Sequence, residues 1–361
     1  MNQVPNTPAI VVDERILDAN ISAMAAFAVD HNLTLRPHAK THKIAAIGHK
    51  QLAASSPGLS VATLGEARYF FDHGMTDLFM PYPIWATNDD AETLTTLATD
   101  GVLAVGTDSV AALHQLADVT RQHPGVEIMI EVNSGHNRSG VFPDQVVPIA
   151  EAIRDRNMVL RGVFTFPGHS NAPGEHTNAA EDEARTLKAA ERYLHEAGFD
   201  VPVLSGGSSP SALATVADGA TEIRPGVYIF GDAKQYELGR IDVDEIALTV
   251  VTTVVSRQEA HEDAPARIIV DAGSKILAAD RASWATGYGR VLGHLDARIT
   301  ALSEHHGTII WDSDDLPELG TRLQIIPHHV CVAVNLVDEV YVSDGENIVD
   351  TWRVGARGMN S

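Results

Sequence analysis

Cys331 is the only cysteine in this 361-residue chain, which excludes an internal disulfide framework. No apolar run approaches the roughly 20 residues that a membrane-spanning helix needs. The opening Met1-Asn2-Gln3-Val4-Pro5-Asn6 lacks a charged, then apolar, signal pattern, so a cytoplasmic protein is expected. Positive charge is scarce: 26 Lys and Arg against 48 Asp and Glu leave a net charge of -22. That balance argues against nucleic acid and anionic membrane as partners, and a small anionic substrate would need a locally basic pocket. No Gly-x-Gly-x-x-Gly follows the first predicted strand, which counts against a dinucleotide site. There is no low-complexity linker, and no repeat beyond a strand–helix unit.

What is present is ordinary globular sequence, 44% apolar and 20% charged, long enough for one large barrel and a smaller domain. Short apolar or β-branched runs recur at 33–37, 58–64, 77–82, 101–106, 126–133, 160–166, 201–205 and 222–230. Helical periodicity separates them, as at 179–197 with Leu187, Ala190, Tyr193 and Leu194. Eight strand–helix alternations predict a (β/α)8 TIM-type barrel, with a doubly wound open sheet as the structural rival. After Gly239 long alternating runs replace the helices, at 247–256, 267–271, 298–302, 308–311, 321–326, 330–336, 339–342 and 348–354. They predict an antiparallel β domain. The expected division is a barrel at 17–239 and a β domain made of 1–16 and 240–361.

In a barrel the chemistry sits on the loops after the strand ends. Those ends carry Lys40, Thr63, Tyr82, the 133–139 loop, Gly168-His169-Ser170, Gly206-Gly207-Ser208-Ser209 and Tyr228, all polar or glycine-rich after apolar strands. Lys40 lies in Leu35-Arg36-Pro37-His38-Ala39-Lys40-Thr41-His42-Lys43. A lysine closing an early strand can form a Schiff base, since burial there lowers its pKa and frees the amine; a solvated basic loop is the alternative. The glycines of Ser205-Gly206-Gly207-Ser208-Ser209-Pro210-Ser211 allow backbone N–H groups to close on a phosphate, aided by a helix N-terminus beyond. A flexible surface loop is the competing reading. In Pro327-His328-His329-Val330-Cys331, residues two apart on an expected strand face the same way. His329 and Cys331 then offer nitrogen and sulfur together, a donor set that suits Zn²⁺. A buried apolar cysteine beside a hydrogen-bonded histidine is the alternative.

The segment 36–43 resembles the one carrying the pyridoxal-phosphate lysine in the D-serine dehydratase / D-threonine aldolase family, built on the plan of alanine racemase (fold type III). The likeness runs from Thr7-Pro8-Ala9 to Ala356-Arg357-Gly358. It implies pyridoxal 5'-phosphate held by Lys40, with the cofactor phosphate cradled by Ser205, Gly206, Gly207 and Ser208 and reached by Tyr228. Arg138, in Gly135-His136-Asn137-Arg138-Ser139-Gly140-Val141, resembles the arginine that hydrogen-bonds the cofactor's phenolate oxygen. Thr165 and His169 come from Thr165-Phe166-Pro167-Gly168-His169-Ser170. Thr165 is assigned to the cofactor, and His169 to stacking on its ring or to acting as a base; Phe166 departs from the family pattern. Arg224 sits in an Arg-Pro-Gly like the one whose arginine faces the pyridine nitrogen in alanine racemases, although the dehydratase and aldolase branch often lacks it. His329 and Cys331 resemble the zinc pair of D-serine dehydratases. The D-threonine aldolases compared with it tend to have His-x-Asp and to use harder ions, which keeps Mn or Mg as alternatives. His305 and His306 are similar to a Glu-His-Gly segment of the group. The family also pairs Ala9-Ile10-Val11-Val12 with the C-terminal β domain.

The resemblance implies a lyase acting on a small D-amino acid. Dehydration of a D-3-hydroxy amino acid is favoured by the cysteine, with Lys40 taking the α-proton and zinc binding the β-hydroxyl. Retro-aldol cleavage by the same metal is the alternative, and a non-catalytic pyridoxal-phosphate carrier the remote one. Carriers of this fold usually consist of the barrel alone. A homodimer is expected, with each barrel mouth near the partner's β domain.

Overall fold

The computed structural model describes residues 4, 6–121, 123, 125–214, 219–313 and 315–361. The chain divides into a β-rich unit (1–21, 41–44 and 227–357) and a barrel unit (22–40, 45–226 and 358–361). Residues 17–21, 41–44 and 227–239, expected in the barrel, thus belong to the β-rich unit, and 358–361 belong to the barrel. Local hydrogen bonds account for this. Phe230 O accepts from Ala247 N at 2.7 Å, Asn20 Nδ2 donates to the carbonyls of Ile229 and Glu245, and Gly65 N donates to Ser361 O at 2.9 Å.

The chain opens with β1 (Ala9–Asp13) and α1 (Glu14–Asp30). Eight strands then form the barrel: β2 (Thr34–Leu35), β3 (Leu59–Ser60), β4 (Asp77–Pro83), β5 (Val102–Thr107), β6 (Val126–Glu131), β7 (Val159–Phe164), β8 (Val203–Gly206) and β9 (Glu222–Ile223). All pair in parallel, in the order β2-β9-β8-β7-β6-β5-β4-β3, and a parallel bridge from His38 to Ser60 joins the two ends. That closure is the predicted barrel and excludes the open doubly wound sheet.

Alternation along the strands builds two layers. Phe79, Ala104, Met129 and Phe164 pack together, whereas their neighbours Leu78, Met80, Leu103, Val105, Ile128 and Ile130 belong to the larger core with the helices. The covering helices are α2 (Ala45–Ala53), α3 (Leu64–Asp72), α4 (Ala91–Asp100), α5 (Val110–Val119), α6 (Val146–Asp155) and α7 (His176–Glu196). In α7 the buried Leu187, Ala190 and Leu194 are the residues whose spacing predicted it. No helix among the described residues is long and apolar enough to cross a membrane.

The β-rich unit contains α8 (Ala233–Glu237), β10 (Leu248–Gln258), β11 (Arg267–Val270), α9 (Ser274–Leu277), β12 (Gly289–Val291), β13 (His294–Leu302), β14 (Gly307–Ile310), β15 (Arg322–Pro327), α10 (Val330–Asn335), β16 (Glu339–Ser343) and β17 (Ile348–Arg353). Its nine strands run in the order β11-β14-β13-β12-β15-β10-β1-β16-β17, and a further β10–β11 pairing closes six of them into a small barrel. A register shift at Val254/Ser256 accompanies the turn of β10 onto β11. β1 pairs antiparallel with β10 and parallel with β16, as the N-terminal strand was expected to join this domain.

One expected strand is a helix. Residues 330–336 alternate valines, but Val330, Ala333 and Val334 are the buried set, at the i, i+3, i+4 spacing of α10. His329 is its N-cap and Cys331 its second residue, so the two do not share a strand face. β12 and α9 were not anticipated: both are short and lie between glycines and turns.

Candidate functional site

The chain reaching Lys40 is anchored by a buried guanidinium. Arg36, just past β2, donates through Nε to Glu222 Oε2 at 2.7 Å and through Nη1 and Nη2 to Asp77 at 2.8 and 3.2 Å. Its side chain is 2% exposed and that of Glu222 4%. Burial opposes its charge, but Glu222 and Asp77 outweigh burial and hold its pKa above the usual arginine value. Lys40 follows in a short turn at 39–41. The residue is exposed, while Ala39 and Thr41 on either side are buried, so the expected burial of this lysine is not found.

Lys40 Nζ stands 6.0 Å from the centroid of the Phe166 ring, and the Arg138 guanidinium 4.9 Å from the same centroid. Phe166, which departs from the family pattern, is therefore the surface these two cations share. The recess beside it is lined by Glu131, Ser134, His136, Arg138, Thr165 and Phe166. Thr165 Oγ1 donates to Ser134 Oγ at 2.8 Å. Glu131, ending β6, accepts from Ser139 Oγ at 2.9 Å and lies 3.7 Å from Arg138. Burial pushes its carboxyl upward, against Ser139 and Arg138.

His169 Nε2 is 3.3 Å from Asp182 Oδ2 on α7. His136 lies against Gly168, where a Cβ would come within 2.5 Å of its ring. Burial, then Arg138 and His169, lower the pKa of His136. Sequence reading took in His136 with the 133–139 loop without giving it a role, and missed Glu131 and Asp182. Glu131 was legible as the polar residue ending an apolar strand; Asp182 looks like any helix-surface carboxylate.

The expected phosphate loop is tightly tied. Ser205 Oγ donates to Glu222 Oε1 at 2.6 Å and accepts from Arg224 Nη1. Gly207 has φ +73 and donates its N–H to the buried Glu183 Oε2 at 2.8 Å. A side chain there would meet Ile223 at 2.9 Å, so glycine is required. Ser208 N donates to Ser211 Oγ at 3.1 Å, and Ser208 Oγ is 2.9 Å from Ser170 Oγ. Two of the N–H groups expected to face a phosphate are thus engaged within the barrel, and serine hydroxyls gather beside them. Residues 209–214 form turns where a helix was expected, and 215–218 lie outside the described residues. Arg224 is held inside the barrel: Nη2 donates to Thr165 O at 2.6 Å, and the guanidinium lies 5.6 and 5.5 Å from the Phe79 and Phe164 ring centroids. Burial lowers its pKa despite Glu222, Glu183 and Glu131.

The β-rich unit holds the other candidates. Tyr228 is buried in a turn at 227–229, while His305 and His306 are exposed between β13 and β14. His329 Nδ1 lies 2.5 Å from Asp280 Oδ2, and its imidazole hydrogen-bonds Cys331. The Cys331 thiol also reaches Thr41 Oγ1 at 3.3 Å; Thr41 follows Lys40 in the chain. His329 and Cys331 thus stand at a helix start and not on the strand face expected of them. Imidazole, thiol and a carboxylate behind the imidazole are a donor set that fits a thiophilic divalent metal. Among the described residues a lysine, an arginine and hydroxyls around one aromatic ring likewise fit an anionic aldehyde cofactor.

Residues 12–234 match the family of the alanine racemase N-terminal domain, and residues 247–343 the serine dehydratase domain. The chain is 33% identical to D-threo-3-hydroxyaspartate dehydratase from Delftia sp., covering 96% of each. It is 30% identical to D-threonine aldolase from Arthrobacter sp., covering 98% of this chain and 93% of that one. The crystal structure of D-threonine aldolase from Filomicrobium marinum superposes with a TM-score of 0.89, at 26% identity over 98% of this chain and 96% of the other. The Delftia enzyme has been solved as a histidine-to-alanine variant and, metal-free, as a cysteine-to-alanine variant. The two substituted positions are two residues apart, as His329 and Cys331 are. The chain belongs to the D-serine dehydratase / D-threonine aldolase family of lyases, which combines an alanine racemase-type barrel with a dehydratase-type β domain.

Proposed function

We propose that the protein is a lyase of D-3-hydroxy amino acids that depends on pyridoxal 5'-phosphate and a divalent metal, and that it eliminates water from its substrate. When bound, the cofactor supplies an electron sink for charge at the substrate's α-carbon, and the metal, zinc in preference to Mn or Mg, a Lewis acid for the β-hydroxyl. Lys40 Nζ binds the cofactor's aldehyde and moves the α-proton. Arg138, beside Glu131 and over Phe166, orients the cofactor's phenolate side, with Thr165 and Ser134 completing that wall. The loop Ser205, Gly206, Gly207 and Ser208 binds the phosphate end, to which Tyr228 contributes. His329 and Cys331 hold the metal.

The observation that carries this reading is His329 at the start of α10 with Cys331 two residues on, the spacing of the histidine and cysteine substituted in the Delftia dehydratase. Chelation tests it. Turnover should vanish while the cofactor's absorption band stays, because the metal does not hold the cofactor; full activity in a metal-free sample would end the proposal. Retro-aldol cleavage to glycine and an aldehyde is the second reading, favoured by the close superposition on D-threonine aldolase. In that case His169, 3.3 Å from Asp182, takes the hydroxyl proton. A homodimer is part of the proposal: Trp85, Phe142 and Leu213, 65%, 60% and 55% exposed, follow β4, β6 and β8 at one end of the barrel and offer apolar area for a partner copy. An active monomer on sizing would remove it.

A further inference from the structure

Asp280, the carboxylate behind the imidazole, has no assigned role in the proposed chemistry, yet it lies against His329. The imidazole has two nitrogens with different surroundings. Nδ1 is 2.5 Å from Asp280 Oδ2, a carboxylate 49 residues earlier in the chain. With Nδ1 engaged, Nε2 is the nitrogen left for a metal. A neutral imidazole carries one N–H and one lone pair, so a carboxylate that accepts Nδ1–H places the lone pair on Nε2.

The segment bearing Asp280 is held in place. It follows α9 through Ala278, whose φ of 65 and ψ of 167 form a backbone conformation at ease only for glycine. Two residues after Asp280, Ala282 N donates to His328 Nε2 at 3.1 Å, so the segment is tied to the neighbour of His329. A strained entry and a fixed exit set the direction of the carboxylate between them.

We propose that Asp280 is the positioning residue of His329: it fixes the Nδ1–H tautomer and the ring angle, so that Nε2 and the Cys331 sulfur address one divalent cation together. This rests on the metal reading above. A carboxylate in that place orients the ring of a ligating histidine and makes it the better donor.

The test uses the full-length protein and its Asp280→Asn and Asp280→Ala variants. Zn²⁺ affinity is measured by competition with a chromophoric chelator, and the Co²⁺-substituted proteins are compared by their thiolate-to-metal charge-transfer band. The expected result is Zn²⁺ binding weakened by about 10–100-fold, more in the alanine variant than in the asparagine variant, which keeps an acceptor without the charge. The charge-transfer band should persist in both, because Cys331 still binds, and disappear only in Cys331→Ala. Wild-type affinity in both Asp280 variants would overturn the inference. So would a change of Co²⁺ coordination in Asp280→Asn, which would make Asp280 a direct ligand. A wild-type protein that binds no Zn²⁺ would instead refute the metal reading itself, before any Asp280 variant is compared.

Discussion

Replacing Arg36 tests the barrel's internal electrostatics. Arg36→Met keeps most of the apolar stem and removes the guanidinium that bonds Glu222 at 2.7 Å and Asp77 at 2.8 Å. The two carboxylates are not left equally exposed. Asp77 is 26% exposed and can recover water, whereas Glu222 is 4% exposed and keeps the Ser205 hydroxyl on Oε1, with the Arg224 guanidinium bonded to that same hydroxyl. Breaking a buried pair by removing one partner costs about 3–5 kcal/mol, and rehydration of Asp77 places this case near the lower end, about 3 kcal/mol. At about 2–4 °C per kcal/mol for a domain of this size, the barrel should melt about 6–12 °C lower. Thermal unfolding followed by far-UV circular dichroism reads the shift. The double variant Arg36→Met/Glu222→Gln should recover part of the loss, because the buried partner is then neutral. If Arg36→Met melts with the wild type, or if the double variant melts below the single one, the reasoning from a buried carboxylate that has lost its ion-pair partner is wrong.

Two further predictions concern the chemistry. Borohydride reduction should fix the cofactor on the peptide containing Lys40, and Lys40→Ala should lower turnover by about 100-fold or more; label on Lys43 or Lys275 would refute the assignment. Cys331→Asp replaces a soft ligand by a hard one. Preference should then move from Zn²⁺ toward Mn²⁺ by about tenfold or more, with aldol cleavage rising relative to dehydration, as read by metal competition and product analysis.

Periodicity made the architecture legible. Leu187, Ala190 and Leu194 marked α7, and the eight apolar runs marked the eight barrel strands. It failed where one set of residues satisfies two periods. In 330–334 the valines alternate like a strand, but the buried Val330, Ala333 and Val334 also lie on one helix face, and the helix wins. The site was legible where a motif is local, as with Lys40 or His329 and Cys331. Pairs distant in sequence were not: Arg36 with Asp77 and Glu222, Gly207 with Glu183, and His329 with Asp280 meet only once strands and turns are assembled. The exposure of Lys40 agrees with the solvated loop that the sequence also allowed there.

The most direct measurement is the product formed by the zinc-loaded protein from a panel of D-3-hydroxy amino acids. The account predicts a keto acid and ammonia in equal amounts, with no turnover of the L-enantiomers and loss of both products on chelation. Glycine and an aldehyde as the main products, or keto acid formed undiminished without metal, would contradict it.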